Sequence, residues 1–423
     1  MAQDLESDGI SRREFVKAGV TAAAVGGLAL PAWAEPPDDK KDKKGDEEGQ
    51  DEKIELVPTR RLGRTGIQVS MLEVGATGKE TRRFRNAVYR AGVRMADTAA
   101  AYENGKHENG LGKWLAKEGK RKEFFVVSKD MPNTPDEWVK MLDKRLENFQ
   151  SDYIDLFFIH GLGEPEIKFK MTPEEILEVP KSKEWAAAAD KMKKSGKIKF
   201  AGFALHGEVP IRTQLLNNAA AGGWVDAIML MYDLPTVHEH ADFNKALDAC
   251  HKAGVGLIAM KTGRGLKNIE KDLPTFKDLG LSPNAAVLHS VWTDERISSI
   301  CSAMTNLKIL RENVAAAKNF KPLKKEQMAA MLDLYKQPGR RFCAACDGRC
   351  KRAAGTEAAL NDIVRYLSYY EMDGDRGRAR ELFARLSPRH RDWSSADLAA
   401  ASHACCSKLD FETLLTRARQ KLA

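Results

Sequence analysis

Four polar side chains fall where short apolar runs end or just beyond. Asp97 follows Gly92-Val93-Arg94-Met95-Ala96, Lys129 follows Val126-Val127-Ser128, His160 follows Phe157-Phe158-Ile159, and Tyr102 lies five positions past Asp97. A phenol titrates near 10, too high for an efficient proton donor at neutral pH. An ammonium beside it stabilises the phenolate and lowers that value, and a carboxylate paired with the ammonium fixes it in place. A nearby imidazole can donate to a carbonyl oxygen and orient it. Such a set suits protonation of an alkoxide as hydride reaches its carbon. Taken singly, each residue has an ordinary explanation: a surface lysine, a satisfied core histidine, a helix cap.

A second group is made of thiols. Five of the seven cysteines follow residue 342: Cys343-x2-Cys346-x3-Cys350, then Cys405-Cys406. Three thiolates at that spacing can surround one metal centre, with Cys405 or Cys406 closing it. Thiolate sulfur favours a [4Fe–4S]-type cluster or zinc. Outside the cytoplasm the same thiols would tend toward disulfides. Cys250 and Cys301 read as buried apolar fillers, and His238-x-His240, after Leu234-Pro235, as surface residues of a loop.

The elements that must position these groups follow from periodicity. Across 54–322, apolar runs at 124–128, 154–160, 200–205, 227–232, 255–260 and 297–302 alternate with amphipathic stretches at 135–149, 184–195, 242–253 and 283–291. Alternation of this kind predicts parallel βαβ units. The length suits one closed (β/α)8 TIM barrel, usually about 250 residues, in which catalytic side chains sit at the C-terminal ends of strands. An open doubly wound dinucleotide sheet would want G-x-G-x-x-G after an early strand, and the sequence has none. Residues 323–423 turn helical, notably at 361–372 and 376–386, and predict a small, mainly α-helical module. Its arginine-rich stretch at 376–391 reads as a solvated helix face.

The first residues read as an address. Ser11-Arg12-Arg13-Glu14-Phe15 precedes a soft Ala/Gly-rich segment ending in Ala32-Trp33-Ala34, which has the form of a twin-arginine export signal over 1–34. The segment is short for a membrane anchor and is broken by Gly19, Gly26, Gly27 and Pro31. Residues 35–53 contain almost nothing that could be buried and read as a solvated tether. The expectation is a protein exported folded by the twin-arginine translocase to the periplasm, without stable membrane insertion after cleavage. The net charge of +8 forms no basic stripe interleaved with aromatics, which argues against a nucleic-acid partner.

These segments resemble the aldo/keto reductase family. Arg94 to Tyr102 with Glu108-Asn-Gly-Leu-Gly112 is similar to that family's first signature, Val127-Ser128-Lys129 and the run from Tyr153 to His160 to its lysine and histidine segments, and Arg61-Leu-Gly-Arg-Thr-Gly66 to its usual opening. The resemblance implies a (β/α)8 barrel, NADPH (or NADH) as cofactor, a small-molecule carbonyl substrate, and Tyr102 as proton donor supported by Asp97, Lys129 and His160. It also implies a cofactor pocket touching Ala204, His206, Met260, Lys261 and Thr262, with Met304, Thr305, Asn306, Glu312 and Asn313 around the adenosine phosphate. Ala204 stands where the family often has serine, Asp226 to Met229 lacks a common glutamine, and Met260 replaces a common tyrosine. Ala303 and Ile309 take the places of phosphate-clamping cations, leaving Lys308 and Arg311 nearby. The cysteine tail resembles the iron–sulfur tail of a bacterial subgroup, in which Cys406 would match better than Cys405. Its spacing departs from C-x2-C-x2-C, and Lys351 follows where a proline is usual. Two kinds of function remain: a hydride-transferring reductase with a possible redox partner, or a non-catalytic or electron-transfer barrel carrying the cluster.

Overall fold

A computed structural model describes residues 54–77, 80–163, 169–263, 266, 273–336, 343, 348–373, 376–405 and 407–423. The signal and tether readings, Cys346 and Cys406 lie outside the described residues.

A hairpin of β1 (Thr59–Arg61) and β2 (Gln68–Ser70) precedes the barrel. Among the described residues, eight parallel strands then close on themselves: β3 (Leu72–Gly75), β4 (Met95–Asp97), β5 (Phe125–Asp130), β6 (Ile154–Leu162), β7 (Ile198–Leu205), β8 (Ala227–Met231), β9 (Gly256–Met260) and β10 (Ile297–Ala303). The circle shuts where β10 pairs with β3, Ile300 opposite Leu72 and Cys301 opposite Glu73. Side-chain direction alternates along a strand, and the packing obeys it. Met95, Val127, Leu156, Phe158, Ala204, Met229, Ile258 and Met260 fill the barrel's interior. Ala96, Val126, Phe157, Phe203, Ile228, Leu257 and Ile300 face the surrounding helices.

The expected barrel is therefore present, and its six named strands match β5 to β10 to within two residues. The sequence pattern missed β3, which is four residues long and carries a carboxylate, and marked β4 only through the run that ends at Asp97. The connection after β6 contains a helix, Pro173–Glu178, started by a capping box at Thr172 and Glu175. His238 does not lie in a loop. Asp233 caps a helix, Leu234–Glu239, and the proline sits in its first turn, where no amide hydrogen is needed.

The hairpin plugs the end of the barrel where strands begin. Leu62 is buried inside. Gly63, at φ +48°, lies so close to the start of β9 that a Cβ would fall 2.3 Å from the Gly254 carbonyl oxygen, so only glycine fits. The Arg60 guanidinium donates to the carbonyls of Trp292 and Ile297 at 2.6 and 2.8 Å.

Beyond the barrel, the helix Lys325–Lys336 sets Met331, Leu334 and Tyr335 against Leu234, Phe276 and Val287. The following helices, Arg349–Ala353, Leu360–Ser368, Arg376–Arg385, Leu398–Ala404 and Phe411–Leu422, share a core of their own that includes Leu360, Ile363, Leu367, Phe383, Phe411 and Leu415. The arginine-rich stretch is more than a solvated face: Arg376 and Arg380 lie over Tyr370, Arg378 over Tyr369 and Arg391 over Phe383, at 5.3–5.9 Å from the ring centroids. Charge–quadrupole attraction holds such contacts together.

Candidate active site

Three strand ends and one turn bring the chemistry together. Asp97 closes β4, Lys129 lies next to last in β5, and His160 follows Phe158 on the inward side of β6. Tyr102 arrives from the turn after β4, where Glu103, Asn104 and Gly105 all have positive φ and bend the chain back toward the barrel mouth. Lys129 is buried; its ammonium bonds the Asp97 carboxylate, donates to the Thr98 carbonyl at 3.0 Å and reaches the Tyr102 hydroxyl at 3.3 Å. The His160 ring stands edge-on to Tyr102, with centroids 5.6 Å apart, and its Nδ1 is buried without a hydrogen-bond partner.

Burial decides the electrostatics. It pushes the Tyr102 phenol up to about 12; Lys129 pulls the other way and Asp97 adds to the rise. The sequence argument expected the ammonium to win, and here desolvation does. Burial would lower the Lys129 ammonium, yet Asp97 and Tyr102 more than offset it, so the group is held above its usual range and stays charged. His160 is pushed well below the usual imidazole range by burial and then by the charges of Lys129, His206, Lys261 and Arg378, so it is neutral near pH 7. The site thus presents a protonated phenol, a fixed ammonium and a neutral imidazole.

A buried scaffold fixes the turn carrying Tyr102. Glu108 accepts from Ser128 Oγ at 2.6 Å and Asn148 Nδ2 at 2.8 Å, and pairs with Arg145 at 3.3 Å. Gly112 lets the helix Lys106–Lys117 press against Pro135–Phe149, where a Cβ would stand 1.8 Å from the Phe149 carbonyl oxygen. The Glu108 to Gly112 signature is in this way a packing motif.

The remaining candidates separate into three groups. Ala204 and Met260 line the apolar interior, His206 meets His160 edge-on at 6.3 Å, and Lys261, at φ 59°, and Thr262 turn the chain directly after β9. Farther out, Thr305 and Asn306 are exposed; the Asn306 side chain caps the helix Leu307–Lys318, accepting from the Ile309 amide at 3.0 Å. Glu312 is half-buried. Met304 is buried in the outer core, and Asn313 is buried, donating to Ser302 Oγ at 2.8 Å and accepting from Asn284. The thiols form the third group. Cys350 and Cys405 are buried in the C-terminal module's core, and Cys343 packs against it.

Two residues of the site escaped the sequence reading. Glu73, on β3, is fully buried, and Cys301, taken for an apolar filler, is half-buried beside it and Asp97. The available signal was a lone acid amid Met71-Leu72 and Val74 on a strand too short to recognise. Cys250 behaves as expected: it is buried, and its thiol donates to the Leu216 carbonyl at 3.1 Å.

Comparison with known proteins gives a consistent picture. Residues 75–268 match the aldo/keto reductase family model. An aldo-keto reductase of Strobilurus tenacellus is 27% identical over half of this chain and 62% of its own length, and a glyoxal reductase of Bacillus subtilis 31% identical over 32% of this chain and 46% of its own. The chain spans about half the length of the curated relatives it matches. Among solved structures, an aldo-keto reductase of Bacillus halodurans in holo form superposes with a TM-score of 0.50 at 20% identity, covering 66% of this chain and 96% of that one. A Bombyx mori aldo-keto reductase in complex with NADP gives 0.51 at 21%, covering 66% and 93%. At such identities the structural likeness shows the fold, and residues 75–268 are similar in sequence to the aldo/keto reductase family.

Proposed function

We propose that the protein is an exported NADP-dependent carbonyl reductase in which Tyr102 is the proton donor. The observation that carries the reading is the buried Asp97–Lys129 pair with its ammonium 3.3 Å from the Tyr102 hydroxyl. A nicotinamide dinucleotide fits the donor set. His160 Nδ1 is buried without a hydrogen-bond partner beside Tyr102. Lys261 follows β9 at the barrel mouth, and Lys308 lies exposed in the first turn of Leu307–Lys318, whose positive end suits an anion. The cofactor supplies the hydride. As the carbonyl carbon accepts it, the C=O π pair moves to oxygen and Tyr102 Oη–H gives that oxygen its proton. Lys129 steadies the phenolate left behind, and Asp97 keeps Lys129 charged and in place. His160 hydrogen-bonds the same oxygen and orients it. Ala204, His206, Met260 and Thr262 would surround the nicotinamide. Thr305, Asn306 and Glu312 would lie toward the adenosine end, with Met304 and Asn313 supporting that loop from beneath.

Titration of the protein with NADPH and NADH under anaerobic conditions, followed by tryptophan quenching and by assay of released dinucleotide, tests the reading. Saturable binding or co-purifying dinucleotide supports it, and neither would remove it.

The C-terminal module would carry an iron–sulfur cluster of the [4Fe–4S] type, with Cys343, Cys350 and Cys405 from the module core. Cys346 and Cys406 are the other candidate ligands. Acid-labile sulfide with iron, against zinc alone, decides the metal. Export rests on Arg12 and Arg13; replacing both with Lys should leave the protein in the cytoplasm.

A further inference from the structure

Glu73 has no part in the mechanism above, yet it lies beneath it. It is fully buried on the inward side of β3, and neither carboxylate oxygen has a hydrogen-bond partner of good geometry. Cys301 stands opposite it in the register of β10, and Asp97 approaches from β4. One oxygen or sulfur atom from each of the three lies within 4.8 Å of the others. The cation facing this group is Lys129 of β5, already committed to Asp97, the Thr98 carbonyl and Tyr102. His107, from the helix Lys106–Lys117, also faces Asp97, and Tyr102 covers the cluster from the turn after β4.

Three acids therefore face one ammonium. If both carboxylates were ionised, the barrel would enclose a net negative charge with no water to hydrate it, which is strongly disfavoured. One proton must stay. Asp97 touches the ammonium and is the better anion, whereas Glu73 has no such contact. Burial, and then the Asp97 charge, hold the Glu73 carboxyl well above its ordinary range, and burial keeps Cys301 a thiol.

We propose that Glu73 is a positioning residue of the catalytic site, a buried neutral acid that keeps the Asp97–Lys129 pair electrically balanced. So balanced, the ammonium acts on Tyr102. When Glu73 loses its proton in alkaline solution, the second negative charge draws on Lys129 and weakens its support of the phenolate. The catalytic part of this role rests on the reductase reading; the protonation state does not.

The experiment compares wild type with Glu73→Gln. Infrared titration of the full chain should show a protonated-carboxyl band at neutral pH that fades in alkali and is missing from the variant. No such band in wild type above about pH 6 would overturn the proposal, even if the variant fails to fold. The melting temperatures give a second reading. A carboxyl with a raised folded-state value binds more protons folded than unfolded, so wild type loses stability as pH rises above about 4.3 until the folded group ionises. The variant cannot titrate, so the difference in melting temperature should shift progressively in its favour with pH, and a constant difference would count against the proposal. Finally, the variant-to-wild-type ratio of kcat should rise by about threefold or more across the pH range in which the wild-type carboxyl band fades. A flat ratio in an active enzyme removes the positioning role. If neither protein turns over, the reductase reading falls, and the infrared titration still decides the state of Glu73.

Discussion

The barrel and the C-terminal module solve the burial of reactive groups differently. In the barrel, Asp97, Lys129 and Glu108 are buried beside partners that strand register or helix packing delivers: Lys129 next to Asp97, Ser128 and Arg145 next to Glu108. In the module, Cys350 and Cys405 are buried among leucines and aromatics, on or beside helices of five and seven residues. Helices that short hold little structure by themselves, so the module depends on side-chain contacts and, under the proposed cluster, on what its thiols ligate. A closed backbone circle can carry a polar site at its rim.

The contrast can be broken at graded points. Tyr102→Phe keeps the ring and removes the proton, so kcat should fall about a thousandfold while dinucleotide affinity, read by tryptophan quenching, stays near wild type. Comparable turnover in the variant would end the assignment of Tyr102. Asp97→Asn strands the Lys129 charge and should cost about 3–5 kcal/mol in urea unfolding, a loss felt by the barrel. Gly112→Ala forces a methyl against the Phe149 carbonyl and should cost about 1–3 kcal/mol without altering bound metal. Cys350→Ser reverses that pattern, lowering metal per chain while leaving dinucleotide binding intact. The smallest change is Arg419→Ala, which removes a guanidinium 4.8 Å from the Trp393 ring centroid and should cost about 0.5–1 kcal/mol.

Where sequence reading succeeded, it did so because local pattern and global constraint agree. Buried parallel strands such as Phe157-Phe158-Ile159 are continuous apolar runs, and the residue ending such a run points to the rim, which exposed Lys129 and His160 as candidates. Glu73 was illegible for the opposite reason: its strand is four residues long, and a lone carboxylate on it looks like an exposed turn residue until β10 is seen to close over it. The rise in the Tyr102 phenol was equally hidden, since composition cannot say whether Lys129 or desolvation prevails. The arginines at 376–391 show the same limit, because a charge count does not reveal the rings beneath them.

The hairpin plug also has a consequence for the order of events during synthesis. Leu72 pairs with Ile300, and Arg60 is anchored on the carbonyls of Trp292 and Ile297. Neither closure is available until nearly all of the barrel has left the ribosome, at about 5–20 residues per second. Through that interval β3 has an unpaired edge, with Glu73 open to water and ionised as any free carboxylate. If Glu73 is neutral in the closed barrel, as proposed, sealing the circle is also the step at which the chain takes up a proton, and the rate of barrel closure should slow as the solution becomes more alkaline.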